Sequence, residues 1–163
     1  MRRGWIIGIG ILTAIALLTA WRLIAEGKGK GGTPTGTLCV QVLDGRTLAP
    51  VRGALVVIPE ADKRETTDGD GRTAVIEAPV LKDARLDGIQ PTPWGEVTVL
   101  VYCPGYYPYA LFHCNVRAGL DRNGPTVYLF PDDGSLTEPF SVIESPDPAW
   151  VQALIEKYEP FTG

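Results

Sequence analysis

A single histidine, a single methionine and three cysteines among 163 residues limit the chemistry open to this chain. With His113 as the lone imidazole, multi-histidine metal sites are excluded and most hydrolase schemes lose a group they need. No nucleophile and base stand out as a pair, so no catalytic, cofactor-binding or metal-binding residue is assigned. The cysteines Cys39, Cys103 and Cys114 show no Cys-x-x-Cys spacing, which removes the usual redox and zinc patterns. Basic clusters are also missing beyond the first 30 residues. That stretch holds Arg2, Arg3, Arg22, Lys28 and Lys30 against Glu26, so the overall charge of −4 leaves −8 for the rest. Such a surface repels phosphate backbones, and nucleic acid is excluded as a partner.

Only one long hydrophobic run is present. Trp5 to Ile24 is apolar apart from two threonines and Arg22, close to the roughly 20 residues that cross a bilayer. Trp5 and Trp21 sit where indole rings favour the interface, and Arg22 can snorkel to the headgroups. Arg2 and Arg3 point to a cytoplasmic N-terminus, so the expected protein is single-pass in the cell membrane, with its C-terminal domain extracytoplasmic. A cleaved signal peptide is the competing reading, since Ile6 to Ala20 also fits an h-region. Either reading exports the domain. The expected organisation is a signal anchor over residues 1–26, a Gly- and Thr-rich linker over 27–36, a β-domain over 37–131, and a tail over 132–163.

Nineteen glycines and fourteen prolines interrupt helices and mark turns, which points to an all-β fold. Leu38, Val40 and Val42 alternate with Cys39, Gln41 and Leu43, the period-2 signature of a half-buried strand. Further strands are expected at Gly53–Ile58, Arg64–Thr67, Arg72–Glu77, Glu96–Cys103, Tyr109–Val116 and Thr126–Phe130, separated by turn signals. Seven short strands predict an antiparallel Greek-key sandwich with a short C-terminal helix over about 148–158.

The stretches Gly36 to Asp44, Pro50 to Val56, Thr67-Asp68 with Gly71, and Val97 to Tyr106 resemble the carboxypeptidase regulatory-like, transthyretin-like domain. The resemblance covers about residues 36–131 and implies an extracytoplasmic prealbumin-like sandwich, usually an accessory or adhesive unit. Transthyretin-like hydroxyisourate hydrolases rely on several histidines, which this chain lacks. Pro79 to Gly95 departs from the family's tight connection, and a loop of this length is a candidate contact surface.

Several residues attract a functional reading. Asp68-Gly69-Asp70-Gly71 invites calcium, but Glu77 falls at the wrong spacing for the bidentate ligand, and a plain turn is expected. His113 is expected on a sheet surface. In an exported domain an odd set of thiols leaves one free or shared between chains. Cys103–Cys114 is the favoured intrachain disulfide, and buried unpaired thiols are the equal alternative. Trp94, Tyr106, Tyr107, Tyr109 and Trp150 are the candidate contacts to a glycan or protein partner, with strand packing as the duller explanation. In the tail, Asp147 caps a helix with Pro148 in its first turn, and Trp150, Leu154 and Ile155 form an apolar stripe that docks on the sandwich or on a partner. Together these features predict a non-catalytic structural or protein-interaction module of the bacterial cell envelope. A carbohydrate-binding accessory module and an unrecognised hydrolase are the alternatives.

Overall fold

The two-residue rhythm of Leu38, Val40 and Val42 drives all three side chains fully into the interior, and the strand that carries them is the centre of the first sheet. The computed structural model describes residues 32–160. The span Trp5–Ile24 lies outside the described residues, among which no helix is long and apolar enough to cross a membrane. Strand β1 (Thr35–Asp44) pairs antiparallel with β4 (Ile76–Pro79) and parallel with β7 (Asp121–Leu129), giving a three-stranded sheet of order β4-β1-β7. The second sheet has order β3-β2-β5-β6-β8, formed by β3 (Lys63–Thr66), β2 (Leu55–Ile58), β5 (Gly95–Tyr102), β6 (Tyr109–Val116) and β8 (Phe140–Ile143). Val56, Val97, Val99, Val101, Leu111, Val127 and Leu129 join the β1 residues in one core between the sheets. Each such side chain contributes about 1.5–3 kcal/mol relative to exposure.

The chain is therefore a mostly β, two-sheet sandwich, with three departures from the sequence reading. Among the described residues it has eight strands, not seven. Two pairings, β1 with β7 and β6 with β8, are parallel, so the sheets are mixed and not wholly antiparallel. The eighth strand falls in the stretch expected to be tail. Only four residues long, it follows Pro139 and gains its place from Phe140, whose ring packs 5.1 Å from Phe130 and 6.0 Å from Tyr107.

The loop from Pro79 to Gly95 contains a short helix, α1 (Ala84–Ile89), capped by Asp83. Gly95 has no Cβ because the Leu81 backbone passes against it, which lets the loop close back onto β5. Helix α2 (Pro148–Tyr158) starts where expected, with the Asp147 side chain accepting from Ala149 N and Trp150 N.

Turns are held by carboxylates. Asp68 Oδ1 accepts from Asp70 N and Arg72 N, both at 2.9 Å, so the Asp68–Gly71 segment is a turn in which Gly71 takes φ +72°. At the end of β1, the nearly buried Asp44 accepts from Thr47 N at 2.7 Å, from Arg46 N at 2.9 Å and from the Tyr106 hydroxyl at 3.0 Å. These donors favour the ionised form, chiefly the Thr47 and Arg46 amides, and lower the Asp44 pKa to about 2. A depressed carboxylate contributes stability above its unfolded pKa of about 4 and loses it as pH falls through the folded value. The Asp44→Asn variant is expected to melt several degrees lower than wild type at pH 7. Its loss of stability between about pH 4 and about pH 2 is expected to be shallower than wild type, as read by circular dichroism melts across that range.

Candidate functional site

Strand parity and register decide which side chains the second sheet presents to solvent. On β5, Val97, Val99 and Val101 are buried, so Glu96, Thr98, Leu100 and Tyr102 face outward. Register then aligns Val57, Leu100 and Ala110 in one outward row, with Leu55 beside Tyr102 in the next. Phe112 lies beside Ile143. Tyr102, Phe112 and Ile143 are 43%, 40% and 68% exposed. Solvated faces of antiparallel sheets normally read polar at these positions. The outer face of the first sheet is more polar, with Thr37, Gln41 and Glu77 among its outward residues beside Leu43 and Tyr128. The outer face of the second sheet departs from that rule in a band of Leu55, Val57, Leu100, Tyr102, Ala110 and Phe112, flanked by Arg64, Glu96 and Thr98.

A β-bulge enlarges this face. Val97 lies opposite Cys114 and Val99 opposite Leu111, so β6 advances three residues while β5 advances two. His113 takes φ +57° there, an uncommon conformation for a residue other than glycine, and both Phe112 and His113 are exposed. Regular alternation would have put Phe112 on the inward face with Cys114 and Val116. The bulge separates them.

His113 lies on the sheet surface as expected, with Nδ1 2.6 Å from Glu96 Oε2. Glu96 Oε1 accepts from Trp94 Nε1 at 3.3 Å. Nearby, Arg85 bonds Asp83, whose pKa is lowered to about 2, mainly by that side-chain contact. These groups line a cleft of about 400 Å³ with Leu86, Ile143 and Glu144. No serine, threonine or cysteine lines it. Among the described residues no three His, Cys, Asp or Glu side chains converge as metal ligands would.

Across Glu144 lies a second cleft of about 460 Å³ that includes Asn115, Arg117, Arg122 and Asp147. Here the tail is fastened to the sandwich. Arg122 bonds Glu144 at 2.5 Å and also donates to Asn115 O at 2.7 Å. Burial disfavours the charged guanidinium, but the Glu144 and Cys114 interactions together outweigh it and the pKa is raised. Arg117 pairs with Asp147. Both clefts thus hold ion pairs that close on themselves.

The aromatics singled out from the sequence mostly face inward. Trp94, Tyr107 and Trp150 are buried, at 1%, 6% and 8% exposure. Trp94 and Trp150 meet edge to face with centroids 5.6 Å apart, and Trp150 Nε1 donates to Gln90 O at 3.3 Å. The Tyr107 hydroxyl donates to Asp133 at 2.9 Å. Tyr106 and Tyr109 are half-buried against the core. These five residues pack the fold, and the exposed large apolar side chains on the outer face of the second sheet include Tyr102, Phe112 and Ile143. Tyr102 was legible from parity with the β5 valines. Phe112 was not, because nothing in the sequence marks the bulge.

Cys39, Cys103 and Cys114 are all free thiols. With Cys114 opposite Val97, Cys103 lies six residues along the ladder, about 20 Å away, far beyond the reach of a disulfide. The expected Cys103–Cys114 pairing is corrected accordingly. Burial pushes the Cys114 thiol up to about 12.

No family model and no curated protein matches the chain. Similar solved structures include the TIE protein of Bacillus anthracis, at 15% identity and TM-score 0.40, covering 60% of this chain and 17% of that one. A type II cohesin–X-dockerin complex mutant from Acetivibrio cellulolyticus is similar at 18% identity and TM-score 0.40, covering 63% and 62%. A 3-chlorocatechol 1,2-dioxygenase from Rhodococcus opacus is similar at 14% identity and TM-score 0.35, covering 69% and 59%. The chain spans less than two thirds of each of those proteins. The transthyretin-like resemblance rests on the sequence motifs alone.

Two measurements check this site. Trp150→Ala is expected to lose about 2–4 kcal/mol from burial and the edge-to-face pair, whereas Ile155→Ala, at a residue 58% exposed, should stay within about 0.5 kcal/mol of wild type. Equal effects in chemical denaturation would show that the whole stripe docks. Under native, non-reducing conditions, iodoacetamide should modify Cys39 and Cys103 well before Cys114, with all three labelled after unfolding by mass spectrometry.

Proposed function

We propose that the chain is a non-catalytic interaction module of the bacterial cell envelope, anchored in the membrane by residues 5–24, with its β-sandwich extracytoplasmic. The observation that carries this reading is the apolar band on the outer face of the second sheet, where Tyr102, Phe112 and Ile143 stand in solvent. Contiguous exposed apolar surface on a domain of this size marks a contact site. Aromatic anchors are the groups that dominate protein interfaces. The anchor draws its support from the apolar span Trp5–Ile24 and its flanking tryptophans and arginines. A non-catalytic role is supported by the His113 cleft, where His113 and Arg85 are engaged by Glu96 and Asp83 and which no serine, threonine or cysteine lines.

A photoreactive amino acid placed at Tyr102 of the full-length chain tests the reading in intact cells. Irradiation should give a discrete protein adduct, and the same probe at Tyr128 on the other sheet should give none. The chain should also stay with membranes through alkaline carbonate washing. Equal labelling at both positions would sink the assignment of the face. Glycan-array binding abolished by Tyr102→Ala, with no protein adduct, would convert the reading to a carbohydrate-binding module.

A further inference from the structure

The four sheet edges are not alike. β3 carries Lys63, Arg64 and Glu65. β4 has Glu77 at its middle and ends in Pro79. β7 contains Pro125 and is bulged at Gly124 against Cys39. Beside the shortness that β3, β4 and β8 share, charge, proline and bulges are the devices that stop a sheet edge from pairing with another chain. β8 has none of them: Phe140 to Ile143 is uncharged, free of proline and in regular register with β6. Phe140 N donates to Pro108 O and Glu144 N to Phe112 O, so strand alternation turns the amide and carbonyl groups of Ser141 and Ile143 toward the free side. Val142 and Ile143 are 39% and 68% exposed there.

From this edge we infer that β8 accepts an extended strand from a partner protein, which adds to the second sheet by main-chain pairing. The inference rests on the interaction reading above and names its mode. Backbone pairing supplies the attachment, and side chains at alternate positions supply specificity. The incoming strand carries apolar residues that continue the Phe112–Ile143 face, and basic residues at its ends. That charge follows from the acidic surroundings: the chain beyond residue 30 has a net charge of −8, and Glu138 stands exposed just before β8.

A seven-residue peptide with three valines alternating with two threonines between terminal lysines serves as the probe, titrated against the full-length chain. It should bind, and amide exchange should slow at Ser141 and Ile143. Ser141→Pro removes the outward N–H while leaving the β6 ladder untouched, since proline is tolerated at edge positions of this kind. It should weaken peptide binding about tenfold or more with the thermal midpoint unchanged. If that variant fails to fold, N-methylation of the peptide amides that face β8 should give the same loss with the wild-type chain. Absence of binding, or binding indifferent to both changes, overturns the inference. Self-association of the chain that Ser141→Pro abolishes overturns it too, by making a second copy the occupant. Tyr102 adducts that persist in Ser141→Pro would overturn strand addition while leaving the interaction module standing.

Discussion

Everything in this sandwich depends on a dry seam between two sheets lined largely by valine. Val40 and Val42 on β1 and Val97, Val99 and Val101 on β5 are essentially excluded from water. Because the side-chain period is two, burial of these residues fixes the outward position of every residue between them, and a one-residue slip of either strand would turn the valines into solvent. The fold is therefore specified by parity more than by any single contact. The same parity that fills the core also presents Leu100 and Tyr102 on the far side of β5.

How far the sequence could be read follows from that rule. β1 and β5 were legible because buried leucine and valine recur there at every second position, and β6 because Pro104-Gly105 marks the bend that precedes it. The C-terminal helix was legible because Asp147 and Pro148 mark its start chemically. The bulge at His113 was not, since it arises from the register between two strands and leaves no local signal. β8 was missed because four residues give too short a window for periodicity, and its position is set by the contacts of Phe140 with Phe130 and Tyr107. Trp94 and Trp150 lie 56 positions apart in the chain, yet they meet in one contact. Their role as a packing pair is invisible until the loop and the tail are placed side by side.

The tail shows how polar and apolar contacts divide the work of attachment. Exposed ion pairs contribute little, but Arg122 is partly buried and shares its donors between Glu144 and the Asn115 carbonyl. The pairs Arg122–Glu144 and Arg117–Asp147 set the direction in which the chain leaves β8, and the Trp94–Trp150 contact then seats the helix. Only one face of that helix is used. Tyr158 and Ile155 remain exposed, and the last turn is held to the sandwich by one polar contact, Lys157 Nζ donating to Ile89 O at 2.6 Å.

The unequal sheet edges also set an upper limit on assembly. Among the described residues three of the four edges carry charge, proline or a bulge, which leaves β8 as the one edge without them. A pairing of two such β8 edges consumes the open edge of both, and no unobstructed edge of either sandwich is left for a next layer. Growth into a fibril, the hazard that accompanies an uncapped strand, requires a divalent building block. Here the topology withholds the second valence.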